Sequence, residues 1–234
     1  MYIISVVNHI LFWLTIKSHR KQRGIKFCSA VQPPDEHYRK EDSMINTTAE
    51  AKTHLNVKQL TLVGLMTAII CIMGPFALYI PVSPVPISLG TLAIYFVVTV
   101  LGLKLGTLSV MVYILLGLTG IPIFTGYVGG PEKLLGPTGG YIIGYIFLAL
   151  IHGYCIDKWK GRLLPCIIGS VLGTAVLYLF GSLWLAFQAG YTLPQALLVG
   201  AIPYIPGDVI KIILAVSIGR QVRKRLIRTG AVGQ

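Results

Sequence analysis

The chain has 234 residues, 54% of them hydrophobic and 12% charged, with a mean hydropathy of +0.74. Soluble domains carry roughly 25% charged residues, so this composition excludes water as the main solvent and points to a lipid-embedded protein. A formal net charge of +12 is an excess that attracts nucleic acid, but the basic residues cluster at the chain ends and in one set of loops, which excludes a continuous nucleic-acid face and points to membrane orientation.

In chain order, Met1 to Ile16 is apolar apart from Asn8 and His9, and Lys17, Arg20, Lys21, Arg23 and Lys26 follow it. A secretory signal places its positive charges before the apolar run, and the run is shorter than the about 20 residues of a span. Gln32 to Asn56 is polar and reads as a flexible linker. Residues 1–56 are therefore expected to be an extension and linker outside the membrane domain, with Met44 a candidate true start. An intact mass of the native protein that includes Met1 would exclude that start.

From Val57 the character changes. Six apolar stretches follow: Val57–Ala77, Ile87–Leu103, Thr107–Leu118, Thr138–Ile156, Leu163–Phe187 and Gln195–Ile218. They predict an all-α, polytopic membrane protein with six transmembrane helices over residues 57–220 and a basic tail at 221–234. The third stretch is short for a span.

The loops between them fall into two sets. Lys52 and Lys58 flank the start of the first stretch, Lys104 separates the second and third, and Lys158, Lys160 and Arg162 separate the fourth and fifth. Arg220, Arg223, Lys224, Arg225 and Arg228 follow the sixth. Gly74–Pro86 and Gly190–Pro194 carry no charge, and in Gly120–Pro137 Glu132 and Lys133 cancel. Basic loops stay in the cytoplasm, so both termini are expected there. The uncharged loops are rich in helix breakers, as in Pro81-Val82-Ser83-Pro84-Val85-Pro86 and in Gly120 to Gly130. Apolar irregular backbone at a membrane surface is buried in protein or lines a cavity. A lid over a ligand and a tight loop packed on helix ends both satisfy this.

Small residues recur four apart at Gly64 and Ala68, at Gly136, Gly140 and Gly144, and at Gly169 and Gly173. This spacing puts them on one helix face, where another backbone can approach closely. Within the chain that means helix packing; on the first helix, docking to another protein competes with it. Cys28, Cys71, Cys155 and Cys166 form no C-x-x-C pair and have no metal-ligand spacing, and Cys71 and Cys155 read as small core residues. No metal or cofactor is implied.

Asp208 and Lys211 open the last apolar stretch within Pro203-Tyr204-Ile205-Pro206-Gly207-Asp208-Val209-Ile210-Lys211. Three apart, they share a helix face. Charges in a bilayer are costly and face a cavity or a partner, so the pair is either a self-contained ion pair at the helix start or a polar ligand site. The aromatic and apolar surroundings suit a small amphipathic molecule with one polar head better than a sugar or nucleotide.

Gly136-Pro137-Thr138-Gly139-Gly140-Tyr141, preceded by Leu134-Leu135 and followed by Gly144, resembles the signature of the BioY family, the biotin-specific substrate-binding (S) components of energy-coupling factor (ECF) transporters. Pro84-Val85-Pro86, Gly117-Leu118-Thr119-Gly120-Ile121-Pro122-Ile123-Phe124 and Pro206-Gly207-Asp208-Val209-Ile210-Lys211 resemble the same family, from about Val57 to Ile218. The resemblance implies a six-helix vitamin-uptake subunit of the cell membrane, with biotin near the outer face, bound by Asp208 and Lys211. It places the Phe124–Gly130 loop, with Gly126, over the ring, and Tyr141 and Thr138 beside it. Gly90 stands where many relatives carry Gln, and Gly126 near where many carry Asn.

No G-x-x-x-x-G-K-[ST] phosphate loop occurs, so concentrative uptake requires partners: a membrane coupling (T) subunit and two ATPase subunits. Docking of the coupling subunit is expected at Gly64 and Ala68. The alternatives are an S component for another vitamin, an intramembrane enzyme, or a channel. Against an enzyme, H-E-x-x-H and G-x-S-x-G are absent, and His152 and Asp157 read as groups at a cytoplasmic edge. Against a channel, one Asp–Lys pair does not line a pore.

Overall fold

The computed structural model describes residues 57–78 and 87–228. The extension 1–56 with Met44 and Cys28, the Pro81–Pro86 element and residues 229–234 lie outside the described residues.

Seven α-helices follow in order: α1 (Val57–Met73), α2 (Gly90–Leu118), α3 (Pro131–Leu135), α4 (Gly139–Lys158), α5 (Leu163–Ala189), α6 (Leu193–Gly200) and α7 (Ile205–Arg228). Two-residue strands β1 (Ala77–Leu78) and β2 (Ile87–Ser88) pair antiparallel between α1 and α2, with Ala77 opposite Ser88. Segments Gly90–Leu118, Gly139–Lys158, Leu163–Ala189 and Leu193–Arg228 are long and apolar enough to cross a bilayer, and α1 is a shorter apolar helix. In hydrocarbon every backbone N–H and C=O must be satisfied within the protein, which is why these stretches are helical.

The helix α2 supplies two passes. Gly102 leaves helical geometry at φ 81°, ψ −163°. A Cβ on Gly106 would lie 3.0 Å from Val98 Cα, although eight residues of straight helix rise about 12 Å. The chain therefore doubles back at Gly102, and α1, the two arms of α2, α4, α5 and α7 make six passes. Each arm of α2 is short for a span, which explains the short third stretch. The exposed Lys104 sits beside the turn, as the separation of the second and third stretches predicts.

Breaking a helix orphans its terminal carbonyls and amides, and here an ion pair satisfies both ends. Asp157 Oδ2 accepts from the Leu103 amide at 3.0 Å, opening the second arm. Arg223 Nη1 donates to Val100 O at 3.2 Å, closing the first, and Arg223 Nη2 holds Asp157 Oδ1 at 3.0 Å. Arg220 Nε also donates to Gly161 O at 2.8 Å. The turn of α2, the α4–α5 loop and the end of α7 are thereby gathered at one end of the bundle. The expected boundary at residue 220 is not a structural break: α7 continues to Arg228, and Arg223 is buried. The backbone region of Gly102 is open essentially to glycine alone and costs other residues about 1–3 kcal/mol. A Cβ there would also meet Asp157 Oδ1 at 2.3 Å. Gly102→Ala should lower the thermal unfolding temperature in detergent by about 5 °C or more. Gly64→Ala, where a Cβ meets nothing within 4 Å, should leave it unchanged. Equal melting of the two variants would contradict this account of the turn.

Lipid tails are as apolar as leucine, so burial of apolar surface does not hold such helices together; close packing does. In α2, Ile94, Tyr95, Val97, Val98 and Val100 are fully buried, while α5 leaves Leu172, Leu179, Leu183 and Phe187 exposed. Gly144 of α4 and Gly169 of α5 each face the other's helix. A Cβ on Gly144 would lie 2.7 Å from Leu177, and one on Gly169 would lie 2.6 Å from Cys155 Cβ. Cys71, Cys155 and Cys166 are buried free thiols.

His152, read from the sequence as a group at a cytoplasmic edge, does not face solvent. His152 is fully buried, with Nε2 3.0 Å from Thr99 Oγ1 and Nδ1 3.0 Å from Ser170 Oγ. Both ring nitrogens are satisfied across α2, α4 and α5, which is why a polar ring is tolerated there. Asp157, by contrast, is exposed.

Candidate functional site

The site is built where α6 gives way to α7. Pro203 lacks an amide and cannot continue α6, so the chain passes through one 3-10 turn, Ile202–Tyr204, and restarts at Ile205. The single stretch expected over Gln195–Ile218 is thus two helices and a turn. Pro206 is tolerated in the first turn of α7. Asp208 follows in the same turn, where the helix dipole favours an anion.

Asp208 is 4% exposed and has two protein partners. Tyr178 of α5 donates its hydroxyl to Oδ2 at 2.6 Å, and Lys211 Nζ meets Oδ1 at 3.0 Å. Lys211 also donates to Ser88 O at 2.9 Å and to Thr91 Oγ1 at 3.1 Å. One ammonium thus ties α7 to β2 and to the start of α2. The pair is formed, and it stands on the wall of a cavity.

That cavity has about 580 Å³ of free space, counting the part continuous with solvent. Tyr141, Tyr145, Tyr178 and Tyr204 give it an aromatic lining, and Ser88, Thr91, Thr125, Thr138 and Lys133 add polar groups. Tyr141 is fixed by a hydrogen bond from its hydroxyl to Gly200 O at 3.0 Å, and by Gly181, where a Cβ would lie 2.3 Å from its ring. Among the described residues no cluster of His, Cys, Asp or Glu suits a metal ion.

Of the expected site residues, Asp208, Lys211, Tyr141 and Thr138 are brought to this wall. Phe124 and Gly126 are not. The ring of Phe124 fills the space left by Gly117, where a Cβ would lie 2.1 Å from Cζ. It also stacks edge-on against Tyr113 at 5.6 Å. The Gly126 amide donates to Pro75 O at 3.0 Å. The loop is a tight hairpin, closed by Phe124 N to Val128 O at 2.9 Å, that turns Phe124 into the protein and leaves Thr125 on the cavity wall. Phe124 therefore stands behind the wall as packing rather than over the cavity.

The sequence reading did not single out Tyr145, Tyr178, Tyr204, Ser88, Thr91 or Lys133. The spacing of Tyr141 and Tyr145, four apart on one helix, is a signal that could have found Tyr145. Tyr178 reaches Asp208 only through the packing of α5 against α7. Glu132 and Lys133 cancel in a charge count but not in space: Glu132 is exposed, while Lys133 is half-buried on the cavity wall. Partial burial pushes the Lys133 pKa down from its ordinary value, because desolvation disfavours the ammonium.

Fold and cavity together define a multi-pass membrane protein with a mostly apolar, tyrosine-lined hollow at one end of its helices, opposite the Asp157–Arg223 clasp. The chain belongs to the BioY family, whose sequence profile matches residues 46–228. It is 34% identical over 170 residues to the biotin transporter BioY2 of Lactococcus lactis, covering 73% of this chain and 92% of that one. It is 39% identical over 179 residues to the biotin transporter BioY of the same organism, covering 72% and 92%. With the biotin transporter BioY of Thermotoga maritima the identity is 35% over 168 residues, covering 72% and 97%. The fold matches the crystal structure of the S-component for biotin from an ECF-type ABC transporter with a TM-score of 0.68 at 36% identity, covering 74% of this chain and 94% of that one.

Proposed function

We infer that this chain captures biotin for uptake across the cell membrane as the substrate-binding subunit of an ECF-type ABC importer. The observation that carries this reading is the buried carboxylate of Asp208, held by Tyr178 and Lys211 on the wall of a tyrosine-lined hollow. Each carboxylate oxygen accepts more than one hydrogen bond, so Asp208 retains acceptor capacity for the ureido N–H groups of biotin. The aromatic lining suits its apolar thioether ring. Its relatives' identity as biotin transporters supports the same substrate.

Both termini are assigned to the cytoplasm. Lys104, the Lys158–Arg162 loop and the end of α7 share one end of the bundle, and basic loops remain on the cytoplasmic side. The hollow then opens outward. Energy for uptake comes from a T subunit and two ATPase subunits, with the T subunit docking at Gly64 and Ala68 of α1. These two are half-exposed beside Leu65 and Ile72, and a Cβ on Gly64 would meet nothing within 4 Å. The described chain's own packing therefore gives no reason for a small residue at Gly64, unlike Gly144 or Gly169.

Calorimetry on the purified full chain in detergent tests the substrate. Biotin is expected to bind in a 1:1 ratio, while thiamine and riboflavin give no heat. Binding of either competitor in preference to biotin would reject the assignment.

A further inference from the structure

Among the described residues three charged side chains line the cavity, Asp208, Lys211 and Lys133, and they are not equivalent. An ammonium has three donors and no acceptor. Those of Lys211 already have three acceptors, Ser88 O, Thr91 Oγ1 and Asp208 Oδ1, all within 3.1 Å. Recruiting Lys211 to a ligand means dismantling the tie between α7 and α2. Lys133 has no ion-pair or hydrogen-bond partner for its ammonium among the described residues. It is nevertheless half-buried on the cavity wall.

Its position is held from behind. The helix α3 is pinned to α5 by Trp184 Nε1 donating to Gly136 O at 3.0 Å and by the Gln188 side-chain amide donating to Leu135 O. Two lysines and one aspartate leave the wall one surplus positive charge. A cation placed in a partly desolvated cavity without a partner is matched electrostatically by one anionic group on the ligand. The two ends of the site also differ: a carboxylate on α7 offers lone pairs, and an ammonium on α3 offers donors.

Building on the biotin reading above, we propose that Lys133 anchors the carboxylate of the bound ligand and makes the site selective for the free acid over its amides. The ligand then lies with its ureido head at Asp208 of α7 and its acid tail toward α3. Lys211 is a positioning residue that holds Asp208 and the outer end of α2. The Glu132–Lys133 dipeptide, neutral in a charge count, acts through one member only.

The test compares biotin with biotinamide, which keeps the rings and tail but lacks the charge. Calorimetry is run on the full chain, unaltered and as Lys133→Gln and Lys133→Arg. The unaltered protein should prefer biotin by about tenfold or more, the scale of a charge-assisted pair. Lys133→Gln should lose that preference by weakening biotin alone, with biotinamide affinity unchanged, and Lys133→Arg should keep it. Equal weakening of both ligands would show a merely structural role and overturn the assignment, as would unchanged biotin affinity in Lys133→Gln. An unaltered chain that binds neither ligand would overturn the biotin reading and this assignment with it. One that binds biotin and biotinamide equally would overturn this assignment only.

Discussion

Asp208→Asn and Lys211→Ala are each expected to weaken biotin binding by more than tenfold, a loss of at least about 1.4 kcal/mol. Asparagine preserves the size of Asp208 but removes the charge that strengthens its bonds to Tyr178 and Lys211, and hydrogen bonds to charged groups contribute about 1.5–3 kcal/mol each. Lys211→Ala removes three donors at once and frees the start of α2 from α7. The side chains of Lys211 and Asp208 are 11% and 6% exposed, so either single variant strands a buried charge, which costs about 3–5 kcal/mol when a buried pair is broken. The singles should therefore also melt earlier in detergent. The double variant Asp208→Asn/Lys211→Met carries no stranded charge and should recover much of the melting temperature while still failing to bind. Calorimetry and thermal melts on all three separate the two effects. Unchanged affinity in both single variants would reject the site.

Gly64→Leu/Ala68→Leu should abolish biotin uptake by cells while leaving biotin binding by the purified chain intact. Small residues four apart let a partner helix approach at backbone distance, and packing of that kind is what associates helices in lipid. Two leucines fill that groove. Inside the subunit they displace nothing near Gly64, since a Cβ there meets open space, and the buried face of α1 runs through Val63, Met66, Thr67, Ile70 and Cys71 instead. Radiolabelled biotin uptake in cells that also express the T and ATPase subunits measures the first half, and calorimetry the second. Normal uptake by the double variant would reject this face as the docking surface.

Much of the architecture was legible in the sequence, for a reason specific to lipid. A bilayer admits only backbone that satisfies itself, so apolar stretches of sufficient length become helices, and the basic loops sort to one side. The separation of two stretches at Lys104 anticipated the reversal of α2. The Asp208–Lys211 spacing placed an acid and a base on one face of a helix start. Local signals of this kind depend only on neighbours along the chain.

What the sequence by itself determined is the solvent, the six passes, the helix breakers that shape the uncharged loops and the two charges that open the last helix. Tertiary structure alone decided which side chains those charges meet. The Tyr178 hydroxyl comes to Asp208 from 30 residues away, and Lys211 reaches Ser88 across 123. Phe124 turned inward because Gly117 left room for its ring, and His152 was buried because Thr99 and Ser170 satisfy both its nitrogens. Lys133 faced the cavity while its neighbour Glu132 stayed exposed. In each case the outcome depends on space and hydrogen-bond partners supplied by another helix, and the pattern along one chain does not specify those before the helices pack.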